Sequence, residues 1–349
     1  MAELNTEQKI RINLSRNARS VLQNDREQFA PSLTANGFLN DLIERCIPVL
    51  DASIADALLR RRDEITGVLE KQGFPEKTIL KVTGALLDSY EEKLTEKASS
   101  WPKGDSCTFR LNNRNTELLY SDDWPDLIFY EDKPVRYLKA LIEEYASHSP
   151  YEREGIYYHE WIALIDQAVR SQTLVRLSMI NVKNQKLEWD MRVYGVLPND
   201  ANLFHYIVGM AVQKGGLKSQ ESILPVRLSR LKSIRLITSS HARSGSLSKS
   251  ERQKIEDRTG DRDVQFLLGH REDCVVDLNE DGRRYFRRTQ YMKPPLKQID
   301  REGRYHFDCS AEQLFQYFYK FGDRADVIAP ESVRKRLREE YRRASEKYS

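Results

Sequence analysis

Residues 189–237 read WDMRVYGVLPNDANLFHYIVGMAVQKGGLKSQESILPVRLSRLKSIRLI. The stretch contains three apolar segments rich in β-formers, separated by turn-forming clusters at 198–200 and 214–216; the segments are 191–197, 203–212 and 223–228. The first two are predicted to pair as a hairpin of half-buried strands, and the third brings Arg227 and Arg230 close to them. A small β-barrel with arginines and tyrosines on one surface is typical of a site for an anionic ligand.

The composition favours several small domains without a metal or a membrane span. A chain of 349 residues with 40% hydrophobic and 31% charged residues exceeds the size of one hydrophobic core. No run of about 18 apolar residues is present, and the first ten residues lack the apolar region of a secretory signal, which favours a cytoplasmic location. The 4 cysteines and 6 histidines show no metal-ligand spacing, so neither a metal nor a cofactor is expected.

The N-terminal segment predicts a strand followed by two helices. Residues 9–14, KIRINL, alternate polar and apolar side chains, Ser15 can cap the next helix, and a second helix follows from Phe38. This order resembles half of a ribbon-helix-helix fold, in which paired strands enter the DNA major groove. That resemblance implies a DNA-facing side formed by Lys9, Arg11 and Asn13, with helix-start amides near 34–37 meeting phosphate. The alternative is an ordinary edge strand with a solvated face.

The same order of elements returns about 97 residues later, which indicates an internal repeat. Residues 107–112 align with 10–15, and residues 137–144 align with 38–45. We therefore expect one chain to supply both strands of its own ribbon, so that Thr108 and Arg110 lie beside the outward residues of the first strand. An acidic insert at 122–126 separates the helices of the second copy. It would repel phosphate, so the charge of any nucleic-acid-binding face would be uneven.

The central stretch resembles a WYL domain, an Sm-like β-barrel named for a Trp-Tyr-Leu tripeptide. Residues 205–209, His-Tyr-Ile-Val-Gly, stand where the tripeptide is expected, without its tryptophan. Residues 192–196, Arg-Val-Tyr-Gly-Val, correspond to the family's Pro-Tyr-Gly strand without its proline, and residues 227–231 fit its closing Arg-x-x-Arg-Ile element.

Residues 317–330, YFYKFGDRADVIAP, resemble the C-terminal extension of the same family. Here we predict strands at 275–278, 305–309 and 325–328 and helices at 281–289, 310–321 and 331–347. The order of modules is similar to WYL transcription regulators and to WYL accessory proteins of RNA-targeting type VI CRISPR loci. The predicted fold is thus α+β and multidomain, with a helical ribbon-helix-helix-like region at 1–150, a WYL Sm-like β-barrel at 151–245, and an α+β domain at 263–349 that makes the dimer contact.

The resemblance implies a non-catalytic sensor of nucleic acid or of a nucleotide. Its ligand positions would be Arg192, Tyr194, Tyr206, Arg227 and Arg230, with His205 in place of the tryptophan and able to stack on a base. The bland alternatives stay open. Both tyrosines could be core residues. Arg227 and Arg230 could pair with Glu188 or Asp190, and only one of the two faces the site if their strand continues past Leu228.

The partner expected from these features is nucleic acid, either operator DNA or single-stranded RNA, bound by a homodimer. A CRISPR effector is a further candidate partner. The basic run 241–254 is predicted to be a mobile solvated loop, or else to track a nucleic-acid backbone. An enzyme, such as a nuclease, is disfavoured because Gly215 and Gly216 lack the lysine and helix of a phosphate-binding loop, and no Ser-His-Asp or Cys-His set can be assembled.

Overall fold

A computed structural model describes residues 9–50, 54–101, 104–120, 130–131, 133–180, 186–199, 203–213, 221–238, 245–261, 264–267 and 272–348. The chain divides into two compact units between His159 and Glu160. Within the described ranges, no helix combines the length and apolarity needed to cross a membrane. The predicted acidic insert at 122–126 and the turn at 214–216 lie outside the described residues.

The first unit is helical apart from two strands. Its elements are β1 (Lys9–Leu14), α1 (Arg16–Phe29), α2 (Ala35–Leu50), α3 (Ile54–Lys71), α4 (Glu76–Ser99), β2 (Asp105–Arg110), α5 (Asn113–Leu119), α6 (Pro134–Ser147) and α7 (Pro150–Tyr157). Strand, helix and helix therefore occur twice, as β1-α1-α2 and β2-α5-α6, and the α3–α4 hairpin is inserted between the two copies.

Strands β1 and β2 pair antiparallel and form a two-stranded ribbon. The alternation of β1 places Ile10, Ile12 and Leu14 in the core and leaves the polar residues outside. Helix α6 packs on β1 as well as on α1 and α2. This pairing agrees with the expectation that one chain supplies both strands of the ribbon.

Local signals account for the helix boundaries beside the ribbon. The Ser15 side chain accepts a hydrogen bond from the Ala18 N–H and so caps α1, and Asn112 caps α5 in the same way through the Asn115 N–H. Ser149 and Glu152 form a capping box at the start of α7. These caps fix where each helix begins.

The first unit extends past the predicted boundary at residue 150 because α7 is anchored to its core. Arg153 donates to the buried carboxylate of Asp25 at 2.7 Å, and the Tyr158 hydroxyl donates to the Phe29 carbonyl at 3.1 Å. Each of these contacts joins residues more than a hundred positions apart in the sequence. Local sequence patterns therefore could not predict where the first unit ends.

The second unit contains two antiparallel sheets. Its elements are α8 (His159–Arg170), β3 (Leu174–Ile180), β4 (Lys186–Pro198), β5 (His205–Gln213), β6 (Ser222–Arg227), β7 (Leu231–Ile237), α9 (Lys249–Asp261), β8 (Glu272–Leu278), α10 (Glu280–Arg288), β9 (Leu296–Ile299), β10 (Tyr305–Cys309), α11 (Ala311–Phe318), β11 (Ala325–Ala329) and α12 (Glu331–Tyr348).

The five strands from β3 to β7 form a sheet in the order β6-β5-β4-β3-β7. Strand β4 pairs with β5, and β5 with β6, as predicted for the hairpin and its third strand. The predicted closed barrel is not found: within the described residues, no ladder joins β6 to β7. Leu228–Arg230 forms a short 3₁₀ turn after β6, and the chain then crosses to pair β7 with β3.

The second sheet has the order β11-β8-β10-β9. Phe286, Leu314 and Leu337, from α10, α11 and α12, pack against Val276 and Phe307 of the sheet. The predicted strands and helices of this region are present, with α11 ending at Phe318 and a 3₁₀ segment, Tyr319–Arg324, completing the turn. Strand β9 was not predicted, because all four of its residues are exposed and carry no alternation in burial.

The prediction of a mobile loop over 241–254 is wrong for its second half. Residues from Lys249 belong to α9, which is capped by a box between Ser248 and Glu251. Residues 241–244 lie outside the described part of the chain. The Ser-x-x-Glu spacing is the sequence signal that would have predicted this helix.

Candidate nucleic-acid interface

The outward side of the β1–β2 ribbon carries all five predicted ribbon residues. Lys9 lies opposite Arg110, Arg11 opposite Thr108, and Asn13 opposite Ser106, and all six side chains are exposed. We call this surface the ribbon face: Lys9, Arg11, Asn13, Ser106, Thr108 and Arg110. Ser106 was not among the predicted ribbon residues. Its hydroxyl accepts a hydrogen bond from the Arg11 guanidinium at 2.6 Å.

Positive charge is concentrated at one end of the ribbon face. Lys9 and Arg110 are directly opposite, and Arg11 is two residues along β1. At the other end of the ribbon, Asp105 pairs with Arg19 at 3.1 Å. Within the described residues, Asp105 is the acidic group of the ribbon strands, and the predicted acidic insert lies outside them. An anionic ligand is therefore expected to lie over the Lys9–Arg110 end.

Helix α2 fixes the Arg110 end of the ribbon. Asn36 accepts from the Arg110 backbone N–H at 2.7 Å and donates to its carbonyl at 3.1 Å, and Asn40 donates to the same carbonyl at 2.8 Å. The cap of α2 is Thr34, whose hydroxyl accepts from the Gly37 N–H. The start of α2, where the sequence predicted a phosphate contact, thus adjoins the cationic end of the ribbon face.

In the second unit, the β4-β5-β6 sheet brings four of the six predicted ligand residues to one face. Tyr206 and Met210 share a face of β5 by alternation; Arg227 stands opposite Tyr206, and Arg192 stands opposite Met210. Tyr194 sits at a β-bulge in β4 and packs on the same side. We call this surface the arginine–tyrosine face: Arg192, Tyr194, Tyr206 and Arg227.

The two arginines occupy different ends of that face. Because Tyr206 and Met210 are four residues apart on β5, their partners Arg227 and Arg192 are separated by about 13 Å along the strands. At one end, the Arg227 guanidinium lies 3.3 Å from the centroid of the Phe204 ring. This cation–π contact orients the guanidinium, and it was not foreseen from sequence.

At the other end, Arg192 is held by acidic side chains. Its guanidinium donates to Glu251 of α9 at 2.8 Å, to Glu221 at 2.6 Å and to the Ser246 carbonyl at 3.1 Å. The Tyr194 hydroxyl donates to Glu256 of α9 at 3.4 Å. The ion pairs considered from sequence were those of Arg227 and Arg230 with Glu188 or Asp190. In the structure, Asp190 pairs with Arg176, and Glu188 with Lys186.

Helix α9 covers the Arg192 end through apolar contacts as well. Ile255, with Leu247 before the helix and Leu267 after it, packs against Val208 and Met210 of β5. The predicted core role of the tyrosines is partly realised, since Tyr194 and Tyr206 are half-buried against this cluster. A ligand therefore has access to the Arg227 end before the Arg192 end.

The remaining two predicted ligand residues lie elsewhere. His205 follows the opposite alternation on β5, so its side chain points to the other face of the sheet, and it is buried. That position leaves no room for stacking on a base from the arginine–tyrosine face. Arg230 is exposed at the end of the 3₁₀ turn after β6, because the strand ends at Arg227.

The ion pair between Arg192 and Glu251 predicts a pH-dependent attachment of α9. Hydrogen bonds from Arg192 lower the pKa of Glu251 to about 2, from 4.5. A lowered pKa in the folded state stabilises the fold above pH 4.5, and this contribution is lost as the pH falls towards 2. Glu251→Gln should therefore reduce stability at neutral pH by about 1 kcal/mol, or roughly 2–4 °C in Tm.

Thermal unfolding of the full chain across this pH range measures the effect. The gap in Tm between wild type and Glu251→Gln should be largest at neutral pH and should close between pH 4.5 and 2. Glu256→Gln, on the same helix, serves as the matched control because, among the described residues, the Glu256 carboxylate accepts the longer hydrogen bond from Tyr194 and pairs with no arginine. A gap that stays constant with pH would contradict the role assigned to Arg192.

Among the residues that the structure describes, no group of three or more His, Cys, Asp or Glu side chains could hold a metal ion. The groups that these surfaces offer are guanidinium, ammonium, hydroxyl and aromatic side chains. Such groups suit the binding of phosphate and of bases.

Comparison with known proteins supports the C-terminal module and the overall fold. Residues 270–345 match the WCX domain, the WYL-associated C-terminal family. The fold is similar to a solved structure described as "Crystal structure of a CRISPR Cas-related protein", with a TM-score of 0.76, 21% identity, and coverage of 98% of this chain and 94% of that chain. Proteasome accessory factor B/C (PafBC) of Arthrobacter aurescens also matches, with a TM-score of 0.31, 13% identity, and coverage of 97% and 49%. No curated protein matches the sequence.

The match over 270–345 is to a domain associated with WYL proteins, as the resemblance of the C-terminal extension predicted. The resemblance predicted from sequence is therefore confirmed. At 21% identity, the likeness to the solved structure is one of fold.

Proposed function

We propose that this chain is a non-catalytic regulator that binds nucleic acid through the ribbon face. The observation that supports this most directly is the exposed, paired ribbon with Lys9, Arg11 and Arg110 at one end and hydrogen-bonding side chains along it. A two-stranded ribbon fits the major groove of duplex DNA, and its outward side chains reach base edges and phosphates. Transcription regulation is the role this mode of binding supports.

The arginine–tyrosine face is the proposed sensor site, with a nucleotide or a single-stranded nucleic acid as its ligand. Arg227 and Tyr206 lie opposite one another, and Arg230 follows in the next turn. A guanidinium binds phosphate through two parallel hydrogen bonds, and an aromatic ring stacks on a base. Arg192 and Tyr194 join this site in the proposal when α9 moves, whereas the buried His205 is not retained.

A second candidate function is an accessory protein that binds single-stranded RNA and modulates an RNA-targeting CRISPR effector. The fold similarity to a CRISPR Cas-related protein favours it. In this version, the arginine–tyrosine face rather than the ribbon face makes the main nucleic-acid contact. The two candidates differ in which nucleic acid binds and in which surface the binding depends on.

Fluorescence anisotropy with labelled duplex DNA and labelled single-stranded RNA tests both candidates at matched salt concentrations. Arg11→Ala and Arg110→Ala should each lower duplex affinity by about tenfold and reduce the slope of log affinity against log salt by about 1. Arg227→Ala should weaken single-strand binding alone. Lys93→Ala, an exposed charge on α4, is the control with the same change in net charge.

Duplex binding that depends on the ribbon variants supports the regulator. Single-stranded RNA binding that depends on Arg227 and ignores the ribbon variants supports the accessory protein. If none of these variants differs from Lys93→Ala, the assignment of both surfaces is wrong. Cleavage of the labelled RNA in the presence of magnesium would instead favour the nuclease.

A further inference from the structure

The α3–α4 hairpin exposes several large apolar side chains. Of its hydrophobic side chains in the described part of the chain, Ile79 is the one that is buried. Six large apolar side chains of the hairpin are exposed, namely Leu59, Val68, Phe74, Leu80, Val82 and Leu86. Helices depend mainly on tertiary packing for their stability. This hairpin is therefore incompletely packed by the part of the chain that the structure describes.

A groove of about 650 Å³ with mixed polar and apolar lining lies between the two helices. Its apolar lining comes from Phe74, before α4, and from Leu80 and Leu87 of α4, with Gly84 between them. A side chain at Gly84 would meet no atom within 4 Å, so the middle of the groove is open. Glycine in the interior of a helix costs stability, and close approach of another helix is a physical reason to have it there.

Next to the groove, four charged residues of α4 are arranged symmetrically about Gly84. Lys77 and Lys81 precede the glycine, and Asp88 and Glu91 follow it, at spacings of three and four residues that keep all of them on one side of α4. None of the four makes an ion pair with another described residue. When a second α4 crosses antiparallel at Gly84, Lys77 of one copy meets Glu91 of the other, and Lys81 meets Asp88.

From this geometry we propose that the α3–α4 hairpin is a dimer contact, in which two copies of the chain pack as an antiparallel four-helix bundle. The arrangement is self-complementary, as a twofold contact must be. It covers the groove, including the Thr83 hydroxyl, which is buried without a hydrogen-bond partner in the described residues. The proposal does not depend on nucleic-acid binding.

The size of the surface agrees with a stable dimer. The 24 residues of α4 span about 36 Å. Two packed helices present a side roughly 20 Å wide, so each copy would contribute about 700 Å². Stable interfaces bury about 800 Å² per partner. This contact differs from the C-terminal dimer contact that the family resemblance implied, and variants can separate the two.

Sedimentation velocity of the full chain from low to high micromolar concentration tests the proposal. Wild type should sediment as a species of twice the 40.8 kDa chain mass. Lys77→Glu and Glu91→Lys should each weaken the dimer by about tenfold or more, because each places like charges opposite one another twice in the twofold contact. The double variant Lys77→Glu with Glu91→Lys should restore the dimer.

Lys93→Glu is the matched control, since Lys93 lies on a different side of α4 and should leave the dimer unchanged. Circular dichroism of each variant checks that the helices are retained. A wild-type chain that stays monomeric over the whole range overturns the proposal. A dimer that persists equally in Lys77→Glu and Glu91→Lys also overturns it and places the contact elsewhere in the chain.

Discussion

Asp25→Ala should destabilise the first unit by about 3–5 kcal/mol, since it removes one partner of a buried ion pair. Asp25 is 2% exposed and accepts hydrogen bonds from the Tyr145 hydroxyl at 2.6 Å and from Arg153 at 2.7 Å. Arg153 is itself buried and also donates to the His148 carbonyl. Burial raises the pKa of Tyr145 well above its ordinary value, and the nearby Asp25 carboxylate adds to this.

Thermal unfolding followed by circular dichroism should show a loss of roughly 10 °C in Tm for the Asp25→Ala chain. Asp105→Ala is the matched control, because Asp105 pairs with Arg19 in the same unit with both side chains largely exposed. That variant should cost less than about 1 kcal/mol. Replacing Arg153 by Met in the Asp25→Ala chain should recover part of the loss, because the uncompensated charge is removed. Equal losses for Asp25→Ala and Asp105→Ala would contradict this account.

Gly209→Ala should cost about 3 kcal/mol, at the upper end of the range for overpacking, because the added methyl meets backbone. A Cβ at residue 209 would lie 2.3 Å from the Arg192 carbonyl oxygen and 2.8 Å from the Met191 side chain. The β-bulge between Val193 and Gly195 brings β4 this close to β5. The same bulge directs Tyr194 to the arginine–tyrosine face.

Gly195→Ala is the control for this prediction. It lies in the same bulge, and a Cβ there would meet nothing within 4 Å, so its effect should stay within about 0.5 kcal/mol. Thermal unfolding of both variants measures the difference. If Gly209→Ala were as stable as Gly195→Ala, the tight approach of β4 to β5 would not be needed, and the geometry of the arginine–tyrosine face would lose its explanation.

Local pattern predicted the elements that carry local signals. The alternation of KIRINL and the cap at Ser15 predicted β1 and α1, and the aligned segment at 107–112 predicted β2. The hairpin of β4 and β5 followed from two apolar segments around a turn, and the strand at Tyr305–Cys309 has the predicted bounds. These features depend on neighbours close in sequence, where side-chain period and capping act.

The wrong predictions concern features that depend on a one-residue shift in strand register or on a single helix cap. His205 was placed with the ligand residues because it replaces the family tryptophan, yet alternation on β5 turns it to the opposite face. Helix α9 was predicted as a loop because the segment is rich in charged residues. Its Ser-x-x-Glu capping signal was not used. The closed barrel was expected from the family, but β7 pairs with β3 and leaves no ladder to β6 in the described residues.

The two ribbon strands, the start of α1 and the polarity of the ribbon face follow from the sequence alone, because alternation and capping are properties of adjacent residues. The contacts of Arg192 with Glu251, of Asp25 with Arg153 and of Arg227 with Phe204 appear only in the folded chain. The first two contacts join residues 59 and 128 positions apart. Their partners are chosen by burial and by desolvation of charge, which no local pattern records.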